Sequence, residues 1–556
     1  MNINLRAPLN YPLDPAPQNS PKYSPVANSN TYNQNDDDAT LRPNDPYIKT
    51  INKTSYDRQR AVAQITRGTT RWQDWNQNNK TEVSYHFTQT PGTQFNENQK
   101  QEARRAIQSW GDVANLVFTE NGGPAEGRLS FGVSSNETTA YGVVPGPYSD
   151  SGDTRYNPKY VERHTLTHEI GHSLGLLHPG NYNHAGKDEK RTEADFAELR
   201  DYAEDSRAHT VMSYVSDEFS GKRIGGRPKA PMMDDISSIQ HKYGANTQTR
   251  RENNIYGFNS NSERDYYSLK TSRDTATFCI WDGAGIDTLD ASGYYDNQVI
   301  NLRAGSFSDL GALKGNVSIA RDCTIENAIG GSGHDALIGN DANNRLTGGL
   351  GADRLRGGRG ADSFIYNHAN DSKPESPDEI MDFTSGIDTI DVSGALQHSG
   401  LASLSFVNAW SGKAGEALIT YDEKSGRGSV SIDLTGDGRA NLLILTHGRV
   451  RPTDIIPVAV PRFVFKTARE SGVANARLLT DFISGKDQID MRAIEKEAGT
   501  RLRLVTQFSG RAGDTIVSFN PQSKRYFVAI DLNGNRATDF LLKSTQLIRP
   551  KDLLVS

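Results

Sequence analysis

The sequence predicts an α+β domain followed by an all-β C-terminal region. Three observations support this fold class: helix and strand patterns mix up to about residue 250, glycine-rich nonapeptides run from Gly330, and a long segment after them recurs farther along the chain. At 556 residues the chain is longer than one hydrophobic core usually supports, so we expect several domains. The hydrophobic content of 35% is low and the 51 glycines are many, which indicates that part of the chain does not fold around a large apolar core.

Charge and cysteine content narrow the possible classes of protein. The formal charge of −6 argues against a general nucleic-acid or membrane binder, and the sequence contains no run of eighteen apolar residues that could span a membrane. The first residues, MNINLRAPLNYPLDPAP, lack the apolar segment of an N-terminal secretory signal. Cys279 and Cys323 are too few for a disulfide scaffold, and one bridge or two free thiols both fit the sequence.

The N-terminal part combines a leader with a mixed domain. Residues 1–46 are rich in Asn, Pro, Asp and Ser, a composition typical of a disordered or removable leader. Within the domain that follows, 47–250, we predict helices near 61–65, at about 96–114 and at about 234–243. Alternating apolar residues predict strands through Val83/Tyr85/Phe87, Leu116/Phe118 and Leu129/Phe131/Val133.

Four nonapeptides follow in register from Gly330: GGSGHDALI, GNDANNRLT, GGLGADRLR and GGRGADSFI. The large apolar residues at one fixed position are Leu337, Leu346, Leu355 and Phe364. This period is typical of calcium-filled parallel β-rolls, in which glycines allow left-handed turns, aspartates face the ions and the large residues fill a thin core. A flexible Gly/Asp-rich linker is the alternative, but a linker has no reason to keep a leucine in phase over the repeats.

We therefore predict a calcium-binding β-roll over residues 251–365. Its predicted calcium residues in the nonapeptides are Gly330, Gly331, Gly333, Asp335, Gly339, Asp341, Asn344, Gly348, Gly349, Gly351, Asp353, Gly357, Gly358, Gly360 and Asp362. Asn344 stands where the other repeats have aspartate, which predicts a weaker site there. An outlying copy, DGAGIDTLD at 282–290, adds Asp282, Ala284 and Asp287 and indicates that the calcium region begins earlier.

The chain beyond the roll repeats itself on a larger scale. SFIYNHANDSKPESPDEIMDFTSGIDTIDVSGA from Ser363 is echoed by RFVFKTARESGVANARLLTDFISGKDQIDMRAI from Arg462, which aligns Asp382-Phe383 with Asp481-Phe482. The phrases SIDLTGDG and AIDLNGN, then RPTDII and RPKDLL, extend the match. These echoes predict a tandem duplication of a β-rich module, with copies at 366–460 and 461–556.

The stretch THEIGHSLGLLHPG, residues 167–180, carries the candidate catalytic residues. On a helix, His168 and His172 lie four residues apart on one face, and a turn at Gly175 lets His178 supply a third nitrogen. Three imidazoles leave the fourth zinc position for water, as in catalytic sites. Glu169 can then take the proton of that water and pass it to the leaving amine, so that it acts as the general base.

Two other interpretations of these histidines exist. The residues of a lone HExxH could be ordinary members of a surface helix, but the added glycine and third histidine make that coincidence rare. His164 stands four residues before His168 and could align with the pair on a helix. It precedes the motif, however, and His178 completes the pattern without it.

The motifs together carry a family resemblance. HEIGHSLGLLHP, with TVMSYVS at 210–216, resembles the zinc signature and Met-turn of the metzincin proteases. The nonapeptides, with YGFNSN at 256 and GNVSIARDCTIENAIGGSG at 315, narrow the resemblance to the serralysins, which are secreted bacterial zinc metalloendopeptidases. The resemblance covers about residues 50–460.

The resemblance implies roles for further residues. Met212 is expected to form the apolar floor under the zinc ligands, and Tyr214 to approach zinc and to help stabilise the oxyanion. Without the family, Tyr214 would be interpreted as a core tyrosine. The segment TTAYGVVP, 138–145, corresponds to the edge strand along which a peptide substrate lies, an arrangement that would explain broad specificity.

The chain departs from the family pattern at two places. Serralysins are usually free of cysteine, whereas this chain has two. The calcium loop before the roll, usually Arg-Thr-Gly-Asp, is Arg250-Arg251-Glu252-Asn253 here. Backbone carbonyls of Arg250 and Glu252 remain the implied ligands, but the geometry that glycine allows is put in doubt.

Export and partners also follow from the resemblance. Type I secretion machinery would read a C-terminal signal, for which Asp454-Ile455-Ile456 and Asp552-Leu553-Leu554-Val555 are candidates; position favours the second. Weak calcium affinity would keep the roll unfolded until export. The expected partners are protein and peptide substrates, the exporter and a proteinaceous inhibitor, and the expected state is a monomer without stable membrane insertion.

The leading hypothesis is a secreted, calcium-stabilised zinc endopeptidase of broad specificity. The rival is a calcium-dependent binding or adhesion protein with a vestigial protease domain, whose working part is the doubled module. An intact Glu169 and three intact ligands weigh against that rival.

Overall fold

The computed structural model describes residues 53–89, 92–182, 193–456, 463–480, 482, 484 and 487–555. The predicted leader, 1–46, and the aligned residue Asp481 lie outside these residues. The chain divides into two compact units. The first contains the described residues up to Thr247 with Thr277–Trp281 and Leu313–Arg321, and the second contains Gln248–Ala276, Asp282–Ala312 and the described residues from Asp322 onward.

The first unit is a mixed α and β structure. Its helices are α1 (Arg58–Thr66), α2 (Glu97–Val113), α3 (Arg163–Ser173), α4 (Glu193–Leu199) and α5 (Met233–Tyr243). Its main strands are β1 (Thr81–Phe87), β2 (Leu116–Glu120), β3 (Gly127–Val133), β4 (Ala140–Gly142) and β5 (Asp153–Tyr156). They form one sheet in the order β2-β1-β3-β5-β4, in which β4 is antiparallel to β5 and the other pairs are parallel.

The helices and strands predicted before residue 250 are present. The side chain of Asn96 accepts a hydrogen bond from the N–H of Gln99 at 2.9 Å, and the Gln99 side chain accepts one from the N–H of Asn96 at 3.0 Å. This capping box starts α2, in which Ile107 and Trp110 are buried and the Trp110 indole donates to the carbonyl oxygen of Thr167 on α3 at 3.1 Å. Strand β1 alternates buried and more exposed residues, as its sequence pattern requires.

The second unit is almost entirely β structure. The remaining strands of the chain are β6 (Ile255–Phe258), β7 (Ser268–Leu269), β8 (Phe278–Ile280), β9 (Thr288–Asp290), β10 (Val299–Asn301), β11 (Phe307–Ser308), β12 (Val317–Ile319), β13 (Asn327–Ile329), β14 (Ala336–Ile338), β15 (Arg345–Thr347), β16 (Arg354–Arg356), β17 (Ser363–Ile365), β18 (Asp378–Ile380), β19 (Thr389–Asp391), β20 (Ser405–Phe406), β21 (Glu416–Asp422), β22 (Arg427–Asp433), β23 (Leu442–His447), β24 (Ile455–Ile456), β25 (Phe463–Val464), β26 (Leu478–Leu479), β27 (Ile489–Asp490), β28 (Arg503–Leu504), β29 (Asp514–Asn520), β30 (Arg525–Asp531), β31 (Phe540–Ser544) and β32 (Leu553–Leu554). The helices after residue 250 are α6 (Ser393–His398) and α7 (Arg492–Ala498). Of these elements, β8 and β12 belong to the first unit and pair in parallel.

The nonapeptides form short parallel strands that alternate between two sheets. Strands β13, β15 and β17 belong to the sheet β24-β19-β17-β15-β13-β9-β6-β7, and β14 and β16 to the sheet β10-β14-β16-β18-β23-β22-β21-β20. The four in-phase residues of the nonapeptides, Leu337, Leu346, Leu355 and Phe364, are fully buried. Two successive strands, one in each sheet, make one coil of this region. A Cβ at Gly349, where φ is +101°, would lie 2.1 Å from the carbonyl oxygen of Gly331, so this close approach between neighbouring coils requires glycine.

The segments before and after residue 460 have the same order of elements. The sheet order β18-β23-β22-β21-β20 corresponds to β26-β31-β30-β29-β28, and β17-β19-β24 corresponds to β25-β27-β32. The two segments differ at one edge: β17 and β18 pair with β15 and β16, whereas β25 and β26 end their sheets within the described part of the chain. The second segment has its own apolar core, which includes Phe465, Phe482, Ile489, Phe540 and Leu542.

Two further points concern cysteines and membranes. Cys279 and Cys323 are both buried and are not joined in a disulfide in the described structure, so of the two alternatives that the sequence left open it contains the thiols. Among the described residues, no helix combines the length and the apolar character needed to traverse a bilayer.

Candidate metal centre and active site

Three imidazole nitrogens converge in the interior of the first unit. The Nε2 atoms of His168, His172 and His178 lie 3.1 Å from one another, and all three side chains are buried. Two nitrogens bound to one tetrahedral zinc ion at 2.0–2.1 Å would be about 3.3 Å apart, so the observed spacing fits that ion. Within the described residues, these three histidines are the side chains whose ligand atoms lie close enough together to hold one metal ion.

The protonation of two of these imidazoles also suits metal binding. Nδ1 of His168 lies 2.8 Å from the carbonyl oxygen of Val211, and Nδ1 of His172 lies 2.7 Å from that of Leu176. A carbonyl only accepts, so each Nδ1 carries the proton and each Nε2 keeps its lone pair for a metal. Burial lowers the pKa of His168 well below its usual range and that of His172 to about 4, so both rings are neutral.

The helix α3 ends where the sequence predicts. Gly175 has φ +92°, and its N–H donates to the carbonyl oxygen of His172 at 2.8 Å, while the N–H of Leu176 donates to that of Gly171 at 2.9 Å. This left-handed turn closes the helix and returns the chain toward His178. His164 is buried four residues before His168, with its Nδ1 3.0 Å from the carbonyl oxygen of Pro228 and its ring centroid 6.5 Å from that of His168, and it is not part of the three-histidine cluster.

Glu169 is buried beside the cluster with its carboxylate uncompensated. Neither carboxylate oxygen has a well-formed hydrogen bond among the described residues. Burial raises the pKa of Glu169 to about 8, and the nearby N–H of Gly142 opposes that rise. An unsatisfied buried carboxylate next to metal ligands is expected of a group that exchanges protons with a reacting molecule.

Strand β4 approaches α3 closely at a glycine. A Cβ on Gly142 would lie 2.3 Å from the backbone oxygen of Glu169 and 3.1 Å from Cβ of His172. Strand β4, which lies within the predicted substrate-binding segment 138–145, is therefore at the edge of the sheet with its last residue, Gly142, against the helix that carries Glu169.

Replacing Gly142 by alanine is expected to push β4 away from α3. We expect a loss of about 1–3 kcal/mol in the free energy of unfolding from overpacking, and a fall in kcat/KM of up to about 100-fold because the site shifts. Thermal unfolding and peptide hydrolysis measure both effects. Gly123→Ala is the matched control, because a Cβ there meets nothing within 4 Å; equal behaviour of the two variants would contradict the close-contact argument.

Met212 packs against the helix that carries His168 and His172, in a turn held by a buried carboxylate. Met212 is fully buried, and a Cβ on Gly171 of α3 would lie 2.6 Å from its sulfur. Asp235 at the start of α5 accepts hydrogen bonds from the Thr210 hydroxyl at 2.5 Å and from the N–H of Val211 at 2.7 Å. Because Val211 is the residue whose carbonyl orients His168, Asp235 supports the metal centre through one intermediate residue.

Tyr214 packs against the third histidine. Its ring centroid lies 4.3 Å from that of His178 and 5.1 Å from that of Tyr182, and its hydroxyl is buried without a partner among the described residues. Tyr182 also stacks on His178 at 5.4 Å and donates to Asp205 at 2.9 Å. The Ser213 hydroxyl donates to the same carboxylate oxygen at 2.6 Å, so Asp205 ties Tyr182 to the turn that bears Tyr214.

The aspartates of the nonapeptides link successive coils of the second unit. The N–H of Asp335 donates to Oδ1 of Asp353 at 2.7 Å, and the N–H of Asp353 donates to Oδ1 of Asp378 at 2.9 Å. Asp378 was not part of the predicted set, although the spacing Asp378-x-Ile380 matches Asp353-x-Leu355. The ladder of carboxylates thus continues past the last nonapeptide.

A second ladder runs along the other sheet. The N–H of Asn344 donates to Oδ1 of Asp362 at 2.8 Å, and the N–H of Asp362 donates to Oδ1 of Asp388 at 3.0 Å. Burial raises the pKa of Asp362 to about 7. In both ladders the aspartates use Oδ1 as the acceptor. The other oxygen, Oδ2, is buried without a hydrogen-bond partner among the described residues in Asp353, Asp362 and Asp378. Such oxygens are the ligands that Ca²⁺ takes, so the donor set fits calcium.

The residues ahead of the nonapeptides form a separate acidic group. The N–H of Asp287 donates to Oε2 of Glu326 at 2.7 Å, and burial followed by the charge of Asp282 raises the pKa of Asp287. Ala284 donates its N–H to Oδ1 of Asp282 at 2.9 Å. Sequence reasoning missed Glu326, because nothing in its local pattern predicts that it meets residues 39 positions earlier.

The segment 250–253, where the sequence predicts a calcium loop, packs against this acidic group without a glycine at 252. The left-handed residue is Arg250, with φ +44°, and its guanidinium lies 5.3 Å from the ring of Tyr267. The carbonyl oxygen of Glu252 would lie 2.4 Å from a Cβ on Gly285, so the loop packs tightly there. Asp341, by contrast, has a side chain that is 78% exposed and lies 3.6 Å from Arg359, so its carboxylate does not join the buried set.

Comparisons with known proteins agree with this site. The family model described as Peptidase M10 serralysin C terminal matches residues 245–458 and again 452–555. Metalloprotease AprA of Pseudomonas entomophila is 43% identical over 446 residues, which cover 73% of this chain and 91% of that protein. Serralysin C of Dickeya chrysanthemi is 45% identical over 448 residues, covering 73% and 91%, and the serralysin of Photorhabdus laumondii is 42% identical over 415 residues, covering 68% and 86%. Because identity above 40% extends over most of each chain, and because the three-histidine site suits the chemistry that these names describe, this chain belongs to the serralysin family and is a metalloendopeptidase.

Proposed function

We propose that this protein is a secreted zinc endopeptidase that cleaves extracellular proteins with broad specificity and is stabilised by calcium. The observation that carries the proposal is the buried set of three Nε2 atoms 3.1 Å apart, directly beside the uncompensated carboxylate of Glu169. The printed names of the relatives, serralysin and metalloprotease, support the same chemistry. A vestigial protease domain is disfavoured because every residue of this constellation is present and buried.

His168, His172 and His178 would hold zinc, and the bound ion supplies the Lewis acidity that makes water nucleophilic and polarises an amide carbonyl. Glu169 accepts the proton of the attacking water and delivers it to the nitrogen of the leaving product. Tyr214, whose hydroxyl has no partner among the described residues, donates to the oxygen on which negative charge develops. Met212 fills the space beneath the histidines and keeps their rings in place.

The substrate would lie in extended form along β4. That strand is paired with β5 on one side and ends the sheet on the other within the described residues. A peptide that adds there forms hydrogen bonds mainly with its backbone, which every sequence offers equally. Broad specificity follows from that mode of binding.

The second unit would be a calcium-filled parallel β-roll followed by two copies of a β-rich module. Support comes from the carboxylate ladders, from the alternating parallel strands and from the two matches of one family model. The predicted boundaries, 47–250, 251–365, 366–460 and 461–556, remain our proposal for the domains. Export through type I machinery, an inhibitor protein as partner and a monomeric state belong to the same proposal.

Metal removal and replacement test the proposed function. The purified full-length protein is held in saturating calcium, treated with a zinc chelator, dialysed and assayed on casein before and after addition of zinc. We expect one tightly bound zinc ion per chain before treatment, near-complete loss of cleavage in the metal-free protein, and recovery on zinc addition. Undiminished cleavage by metal-free protein, or none after reconstitution, would refute the zinc endopeptidase proposal.

A further inference from the structure

The third histidine is positioned differently from the other two. His168 and His172 lie on α3, so the helix itself sets their spacing. His178 follows the left-handed turn at Gly175 and lies outside the helix. The position of its Nε2 atom therefore depends on whatever holds the segment 175–180.

The end of α1 and the residues after it hold that segment. The N–H of Leu177 donates to the carbonyl oxygen of Ile65 at 2.7 Å. The Gln64 side chain donates to the carbonyl oxygen of Pro179 at 2.8 Å. These bonds join two parts of the chain that are more than 110 residues apart in sequence, so the histidine loop depends on non-local contacts.

Thr69 extends the contact to the turn itself. Its hydroxyl donates to the carbonyl oxygen of Gly175 at 2.7 Å. The ammonium of Lys242 on α5 donates to the same hydroxyl oxygen at 3.0 Å and to the carbonyl oxygens of Thr69 and Thr70 at 3.2 Å. The segment that follows α1 is thus itself held by Lys242 of helix α5.

Arg67 makes the contact nearest to the ligand. Its Nη1 donates to the carbonyl oxygen of His178 at 2.8 Å, and it also donates to that of Gln64 within α1. Its Nη2 lies 3.5 Å from the carbonyl oxygen of Gly180. One planar guanidinium therefore spans the main chain on both sides of Pro179 and connects it to the first helix.

We infer that Arg67 is a positioning residue of the metal centre, which fixes the third imidazole by holding the main chain at His178. This inference rests on the proposed function, because it assumes that the three histidines bind zinc. Residues that orient metal ligands typically change metal affinity or activity by about 10–100-fold when they are removed. Arg67 lies some hundred residues before the motif, so motif analysis cannot find it.

Zinc release from the full-length protein tests the role. Arg67→Ala, Arg67→Lys and the control Arg60→Ala are loaded with zinc in saturating calcium and mixed with a chromogenic chelator. Arg60 is an exposed arginine of α1, the helix that ends just before Arg67, so its removal changes the charge equally. We expect Arg67→Ala to release zinc about 10–100-fold faster than wild type and to lose kcat with KM little changed. Arg67→Lys should fall between, because an ammonium can still donate to one carbonyl, and Arg60→Ala should match wild type.

The outcomes separate the inference from the proposed function. Wild-type zinc release by folded Arg67→Ala overturns the positioning role, and so does an equal acceleration in Arg60→Ala. If Arg67→Ala does not fold, as judged by near-ultraviolet circular dichroism, Gln64→Ala takes its place and should release zinc several-fold faster; an unchanged rate there overturns the inference. A wild-type protein that binds no zinc refutes the proposed function itself.

Discussion

Replacing Glu169 by glutamine is expected to lower kcat for peptide hydrolysis by about 10²–10⁴-fold, the contribution typical of a positioned general base. Glutamine has nearly the same shape, but it cannot take a proton from water. Glu169 is fully buried and neither carboxylate oxygen has a well-formed hydrogen bond among the described residues, so an amide can take its place without breaking one. The three imidazoles remain, and zinc content should therefore stay at the wild-type level.

The measurement combines steady-state hydrolysis of a fluorogenic peptide with metal analysis of the same sample. Glu162→Gln is the matched control: Glu162 precedes α3 and makes an exposed ion pair with Arg227 at 3.3 Å, which contributes little. We expect that control to retain wild-type kcat. Full activity in Glu169→Gln would exclude the general-base role, and loss of zinc in that variant would show that the glutamate acts on the metal instead.

Removing calcium from the full-length protein is expected to unfold the repeat region and to leave the last module, residues 463–555, folded. The repeat region holds buried carboxylates of Asp353 and Asp378 whose second oxygens lack partners in the described structure. Burial and the neighbouring charge of Asp353 raise the pKa of Asp378. Without a divalent cation, each such carboxylate must be buried unpaired or protonated, and both states oppose folding.

The last module has exchanged this acidic position for a basic one. Arg477 occupies the place of Asp378: its N–H donates to the Ser471 hydroxyl at 2.9 Å, as the N–H of Asp378 donates to that of Ser372 at 2.8 Å. Arg477 is exposed and lies 5.4 Å from the ring of Phe465. The module therefore relies on its apolar core and not on a cation at this position.

Hydrogen exchange with mass spectrometry, with and without a calcium chelator, measures this difference. An ion present at 100 times its dissociation constant stabilises its site by about 2.7 kcal/mol, so each lost ion should speed exchange through β13–β19 by about 100-fold. Peptides from β29–β31 should keep their protection. Restoring calcium should reverse the change, and loss of protection in both regions together would show that the last module also depends on calcium.

The sequence pattern predicted those parts of the structure that depend only on residues close together in the chain. The spacing of His168 and His172 on a helix and the turn at Gly175 follow from backbone geometry, and both are present. The in-phase leucines predicted buried positions for the same reason, because one large residue per nonapeptide must face the thin interior.

The supporting residues could not be predicted because their partners lie far away in sequence. Asp235 reaches the Met212 turn across 24 residues, Glu326 reaches Asp287 across 39, and Arg67 reaches His178 across 111. From sequence alone, an acidic residue in the first turn of a helix, such as Asp235, is expected to interact with the helix dipole. Its actual role depends on tertiary packing, which a single sequence does not display.

The side-chain hydrogen bonds of the two carboxylate ladders all run in the same direction along the chain. In every rung the N–H belongs to the earlier residue and the accepting oxygen to a later one, from Asp335 to Asp353 and onward to Asp378. Each of these coils therefore takes one side-chain acceptor from the coil C-terminal to it, and in a linear array the stability of one coil is coupled to that of its neighbour. The N–H of Asp353 thus depends on the carboxylate of Asp378, and that of Asp362 on the carboxylate of Asp388, although both carboxylates lie beyond the last nonapeptide.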